Sequence, residues 1–241
     1  MYISIHIPKT AGTSLSIIFD YGCNRRIWYD YSELKVLQTD LQANAEQQAK
    51  KQQLLAPHKM FLVENFEFIH GHFYYSKYRN FFEQAKFITC LRNPIDRLVS
   101  HYYHLLDEAD ENYWLFNELS SGQMDIVDLA SIDGIGNIHS KYLMGKDIMD
   151  YDFVFLSEKL PESIYHFQLL HEFQRNDEYM NLPGPQSIPR KNIQGSKQTK
   201  REVISDKLLC KATSLLKEDN ELYQRGVEKF IMQGKLANKL I

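Results

Sequence analysis

Apolar residues in this chain fall in short runs. Four of them, over 2–7, 60–63, 87–91 and 153–156, are rich in β-branched or aromatic residues, and each gives way to a polar turn and then to helix-like spacing. Short continuous apolar runs alternating with helices predict buried strands of a parallel sheet with helices on both faces. The stretch 66–69 reads equally as a further strand or an extended loop. The clearest helix follows Leu91. Asn93 suits its cap and Pro94 its first turn, and Leu98, Val99, Tyr102, Leu105 and Leu106 then share one apolar face. Further helices are expected over 161–173 and over 200–233, the second broken near Gly226. The expected fold class is α/β, a parallel central sheet flanked by helices, in one domain over 1–241.

Two stretches depart from this pattern. Residues 38–56 are rich in Gln, Ala and Lys and read as a polar insertion. Residues 176–200 hold Pro183, Gly184, Pro185, Pro189 and Gly195 with little apolar content. A loop of that length is a linker or an active-site lid. A helix rather than a second core follows it, which favours the lid.

Composition narrows the function classes. The 241 residues carry 28 Lys and Arg against 31 Asp and Glu, a net charge of −3. No nucleic-acid partner is expected from so neutral a balance, although a local basic cleft stays open. Cys23, Cys90 and Cys210 are odd in number and widely spaced, so no disulfide framework or cysteine zinc site is indicated. No apolar run reaches the ~18 residues of a membrane span, and the first residues lack the basic start and apolar core of a signal peptide. The expected location is cytoplasmic.

Chemistry concentrates in three places. His6-Ile7-Pro8-Lys9-Thr10-Ala11-Gly12-Thr13-Ser14-Leu15 follows a predicted strand and opens a predicted helix. Such a turn aims backbone N–H groups and the positive helix end at one point. Gly12 allows close approach of an anion, Thr10, Thr13 and Ser14 add hydroxyls, and Lys9 adds charge. The nucleoside-triphosphatase loop places Lys after its last Gly; here Lys9 precedes Gly12. In the second segment Arg92 ends the 87–91 strand, where open α/β sheets bind ligands. Its guanidinium can pair with a phosphate, and Ser100 lies about two turns along the next helix. The alternative is an Arg92–Asp96 pair beside a packing Ser100. The third place is His70-Gly71-His72. In an extended segment both imidazoles point to one side, as a base with its neighbour, as zinc ligands with His101 or His104, or as two hydrogen-bonded histidines packed under a loop.

The first two segments together resemble the nucleotide sulfotransferases. With Ile69-His70-Gly71-His72-Phe73 and the run from Leu91 to Tyr103, the likeness narrows to the carbohydrate 2-O-sulfotransferase branch, which includes the heparan and uronyl enzymes. It is strongest over 3–15 and 68–106 and weaker over 137–143 and 153–163. The resemblance implies a P-loop-like sulfotransferase fold. It also implies a sulfuryl donor, 3′-phosphoadenosine 5′-phosphosulfate (PAPS), and a carbohydrate hydroxyl as acceptor. Lys9, Thr10, Ala11, Gly12, Thr13 and Ser14 would hold its 5′ side, and Arg92 and Ser100 its 3′-phosphate. The base would be His72, with His70 orienting substrate and Lys9 beside the leaving oxygen; no metal is needed. Arg190 and Lys191 in the 176–200 stretch would close over the donor, and Glu158 would contact substrate or hold structure. Two other functions fit the same residues. A small-metabolite kinase would use the Lys9 loop for ATP. A non-catalytic nucleotide- or glycan-binding module would keep Lys9 and Arg92 without needing a base.

Overall fold

A computed structural model describes residues 1–31, 50, 53–108, 114–171, 173 and 203–240. Five parallel strands form its centre: β1 (Tyr2–Ile5), β2 (Ile27–Asp30), β3 (Phe68–Gly71), β4 (Lys86–Leu91) and β5 (Phe153–Leu156). Their order is β2-β3-β1-β4-β5, with Tyr2 beside both Phe68 and Lys86, and Ile88 beside Phe153. The helices are α1 (Gly12–Gly22), α2 (Lys59–Asn65), α3 (Tyr75–Tyr78), α4 (Pro94–Glu108) and α5 (Trp114–Ser120). They continue as α6 (Ile126–Ser131), α7 (Ile138–Leu143), α8 (Leu160–His171), α9 (Asp206–Leu215) and α10 (Lys217–Ala237). The expected α/β class with a parallel, helix-flanked sheet is what forms.

Period-two alternation sorts the strand residues onto two faces. Phe68, Ile88, Cys90, Phe153 and Phe155 pack with Leu15 and Phe19 of α1 and with Leu160, Ile164 and Phe167 of α8. Their neighbours Ile69, Phe87, Leu91, Val154 and Leu156 face the other way, onto Tyr78, Tyr142 and Phe230 from α3, α7 and α10. Phe19, Phe68, Phe153 and Phe167 are at most 1% exposed. Truncating any of them to Ala costs about 3–5 kcal/mol. A third cluster lies between helices. Leu98, Val99, Tyr102, Leu105 and Leu106, the whole apolar face expected for α4, meet α5, α6 and α9 there.

Several elements differ from the sequence expectation. The 60–63 run is helical, within α2. Only Leu62 is buried, while Met60, Phe61 and Val63 are 65%, 53% and 45% exposed. A four-residue apolar run carries no period that separates strand from helix. The ambiguous 66–69 stretch yields β3. Strand β2 went unread because it is an edge strand with Tyr29 44% exposed, not a continuous apolar run. The long C-terminal helix begins at Asp206 and breaks at Leu216, not at Gly226. Leu216 is fully buried in the third cluster, which fixes the bend. Gly226 lies inside α10, where a Cβ would meet Leu91 Cδ1 at 2.3 Å. Its smallness serves close helix-on-sheet packing.

The β5 edge is covered from α10. Gln233 Nε2 donates to the Val154 carbonyl, and Gln233 Oε1 accepts from the Val154 N–H, each at 2.9 Å. A side-chain amide thus satisfies strand groups that would otherwise invite another chain. Among the described residues no helix is long and apolar enough to cross a membrane. Cys23 and Cys90 are buried free thiols, and Cys210 is an exposed one.

Candidate functional site

Sheet order locates the site. From β1 the chain passes by α1 to the β2 edge; from β4 it passes by α4 toward β5. The connections after adjacent β1 and β4 diverge, and ligands bind at such a switch point, beyond the carboxyl ends of the strands. The Lys9 loop and Arg92 both lie there. Arg92 Nη1 donates to the Lys9 carbonyl at 3.2 Å, so the guanidinium meets the first loop rather than Asp96.

The loop itself is bent. Lys9 and Ala11 have φ of 70° and 68°, left-handed conformations that cost non-glycine residues roughly 1–3 kcal/mol each and gather at ligand sites. The Thr10 hydroxyl donates to the Ile7 carbonyl at 2.8 Å and is buried. It braces the turn, so what Thr10 offers a ligand is its backbone N–H. No side chain caps α1 at Ala11, which leaves first-turn N–H groups for an anion. Thr13 is exposed and Ser14 half-buried on that turn.

Around Arg92 the structure is tightly held. Asn93 Oδ1 accepts from the N–H groups of Ile95 and Asp96 at 3.2 and 3.4 Å, the expected cap. The Asn93 N–H donates to Glu158 Oε1 at 2.6 Å, which makes Glu158 a structural carboxylate at the start of α4. Ser100 is half-buried on the same helix. Arg97 and His101, one turn apart, are fully buried. Arg97 Nη2 donates to the carbonyls of Ile135 and Gly136, and Nη1 to His101 Nδ1 at 3.1 Å. Burial pulls the Arg97 pKa down to about 10, against the opposing charge of Asp219, so the guanidinium stays charged at neutral pH.

Three imidazoles stand beside the loop. In register, Ser4 pairs with His70, and the His6 N–H continues the ladder by donating to the Gly71 carbonyl at 2.8 Å. His6 therefore lies next to His72. Their ring centroids are 4.3 Å apart, and His6 stacks on His70 at 5.2 Å with planes 10° apart. His70 and His72 thus approach the same side, as an extended segment requires. His70 is 1% exposed, with Nδ1 2.8 Å from Ser4 Oγ. His72 is half-buried, and its Nδ1 donates to the His6 carbonyl at 2.6 Å. A carbonyl only accepts, so the proton sits on Nδ1 and Nε2 is left with its lone pair. Burial lowers the His72 pKa to about 4, opposed by that hydrogen bond. Burial, then the neighbouring His72, lowers His70 to about 3. His6 is pushed well below its usual range by burial first, then by His72, His70 and Lys9. All three are neutral at pH 7.

Sequence reasoning passed over Tyr31, whose hydroxyl lies 2.9 Å from His6 Nδ1 and whose ring meets His72 edge-on at 4.8 Å. It named His6 as the start of the loop segment and, with Glu158 and His101, as a next candidate for the base after His72 and His70. The alternation of Ser4 and His6 with Ile3, Ile5 and Ile7 was a readable signal that they share a face. Also missed was the junction of α7 and α10. There Asp219 accepts from His139 Nδ1 at 2.8 Å and from the backbone N–H groups of His139 and Ser140 at 3.0 and 2.8 Å.

The structure therefore brings together Lys9–Ser14, Arg92, His70 and His72. Arg190, Lys191, the 176–200 stretch and most of 38–56 lie outside the described residues. Among the described residues no group of three or more His, Cys, Asp or Glu is arranged to hold a metal ion. A family model described as the sulfotransferase family matches residues 2–132, more than half of the chain. The matched span runs from β1 through α6, and so covers the Lys9 loop, His70–His72 and the β4–α4 unit. No curated protein matches the chain.

Proposed function

The chain belongs to the sulfotransferase family, and on that premise we propose that it moves a sulfuryl group from PAPS to a hydroxyl of a carbohydrate acceptor, with His72 as the base. PAPS supplies the activated sulfuryl group and departs as 3′-phosphoadenosine 5′-phosphate. The bent loop with an uncapped helix behind it suits a 5′-phosphosulfate, and Arg92 with Ser100 suits a 3′-phosphate. Two anion sites on neighbouring strand ends fit a nucleotide phosphorylated at two places.

In this mechanism Lys9 and the first-turn N–H groups of α1 neutralise charge growing on the leaving oxygen. His72 takes the acceptor's hydroxyl proton on Nε2. Arg92 ties the two anion sites through the Lys9 carbonyl. His70, buried against Ser4, supports the segment that carries the base. The reading comprises one catalytic domain over 1–241, a metal-independent site, no nucleic-acid or membrane partner and a cytoplasmic location. Its support for one domain is α10, whose Gln233 bonds to β5.

The observation that carries the proposal is the 2.6 Å bond from His72 Nδ1 to the His6 carbonyl, because it leaves Nε2 as the proton acceptor. The test is sulfur-labelled PAPS with a glycan panel and two variants. His72→Ala should lower kcat by about 10²–10⁴-fold with donor affinity nearly unchanged. Lys9→Ala should damage both. Label transfer that survives in His72→Ala would remove the assigned base. ATP turnover with a Mg²⁺ requirement would replace the reading by a kinase, and donor binding without transfer to any acceptor by a binding module.

A further inference from the structure

Gly12 stands in the anion loop, where a glycine is ordinarily explained by close approach of a phosphate. The structure gives it another neighbour. A Cβ built on Gly12 would fall 1.8 Å from His6 Nε2, 1.9 Å from Cε1 and 2.2 Å from Cδ2. The backbone of Gly12 is not left-handed, so the ring alone forbids a side chain there. That ring is pinned elsewhere too. Its Nδ1 lies 2.9 Å from the Tyr31 hydroxyl, and it stacks on His70 and tilts against His72. The same residue's carbonyl orients His72. One side chain thus touches the loop that would hold the donor and the imidazole that would take the proton.

We propose that His6 is a positioning residue for the sulfuryl transfer, a wedge whose ring, seated on Gly12 and braced by Tyr31, fixes the separation between the anion loop and His72. The proposal rests on the function given above. Gly12 is then glycine to admit the ring. An aligned reaction is sensitive to such spacing, since a displacement of about 1 Å can cost on the order of 10²-fold. The ring also lies against His72 and adds to the burial that lowers its pKa.

The experiment compares Gly12→Ala, His6→Ala, the double variant and His6→Phe. Two readouts need no acceptor: stabilisation by 3′-phosphoadenosine 5′-phosphate in a thermal melt, and the His72 imidazole pKa by NMR. Gly12→Ala should weaken nucleotide binding about tenfold or more. Adding His6→Ala should return it to the level of His6→Ala alone, about threefold from the unmutated protein, because the obstructed space is now empty. In His6→Ala the His72 pKa should climb from about 4 toward the ordinary ~6.5 as water reaches the ring. With an acceptor, kcat should fall about 10–100-fold at little cost in donor KM, and His6→Phe should recover most of that loss. If His6→Ala does not fold, His6→Asn replaces it throughout. A double variant as weak as Gly12→Ala, or a His72 pKa unmoved by loss of the His6 ring, overturns the wedge. An unmutated protein that the nucleotide fails to stabilise overturns the sulfotransferase reading instead, and the NMR result stands apart from it.

Discussion

Two groups of histidines in this molecule are held in opposite ways. At the carboxyl ends of β1 and β3, His6, His70 and His72 lean on one another, on Ser4, on Tyr31 and on a backbone carbonyl. No carboxylate hydrogen-bonds to them among the described residues. At the α7–α10 junction His139 meets a carboxylate directly, and both side chains are wholly buried. A search for acid–base machinery would stop first at that His–Asp pair. Yet Asp219 also takes two backbone N–H groups at the start of α7, and the Asp219 N–H donates to Asn137 Oδ1 at 3.1 Å. It is a fastening between two helices. The difference is one of partner: a carboxylate fastens His139, whereas a backbone carbonyl orients His72, the residue to which the proposed mechanism assigns the proton.

The largest effect should come from cutting the fastening. Asp219→Ala leaves several buried donors without an acceptor and should cost about 3–5 kcal/mol in denaturant unfolding. Whatever protein stays folded should keep the unmutated pH profile of sulfuryl transfer. A changed pH profile with unchanged stability would move the reactive centre to the α7–α10 junction.

A smaller effect sharpens the other region. In the unmutated protein, removing the 3′-phosphate from the nucleotide should weaken binding by about 10–100-fold, the scale of charge-assisted hydrogen bonds worth ~1.5–3 kcal/mol. Arg92→Ala should erase that discrimination, measured as equal thermal shifts for the two nucleotides. Equal shifts in the unmutated protein would take Arg92 out of the site.

The smallest effect separates the regions by pH. His70 and His72 have folded pKa values lowered to about 3 and 4, so the unfolded chain binds their protons first. The stability they contribute is complete above about 6.5 and is lost as pH falls toward 4 and 3. For Asp219, burial acts to raise the pKa, and His139 with the Ser140 and His139 N–H groups outweighs it, leaving the value lowered. Its contribution is complete above ~3.9 and is lost as pH falls through the folded value. Unfolding midpoints between pH 6.5 and 4 should therefore fall less steeply in His70→Gln, with His72 and His6 keeping part of the slope, and should keep the full slope in Asp219→Asn. A flattened slope in Asp219→Asn over that range would mean the two regions titrate together.

Much of the frame was readable in the residues. The apolar runs of β1, β4 and β5 are continuous because both sheet faces are covered, and the Asn93–Pro94 start and apolar face of α4 obey local rules that need no tertiary partner. The placement of the Lys9 loop and Arg92 at strand ends was legible for the same reason, since a strand end followed by a helix start is a local arrangement. The 60–63 run was not legible, because four apolar residues lack a period. Nor was β2, whose edge position leaves Tyr29 in solvent.

Sequence by itself determined the parallel α/β class, the two strand-to-helix turns at Lys9 and Arg92 and the His70–His72 pair, all carried by neighbours within a few residues. Tertiary structure alone decided the break at Leu216, the seat of His6 on Gly12, the proton position on His72 and the capture of His139 by Asp219. The last joins residues 80 positions apart. Such contacts depend on which strands lie side by side and which helices meet, and chain spacing says nothing of that until the sheet order is set.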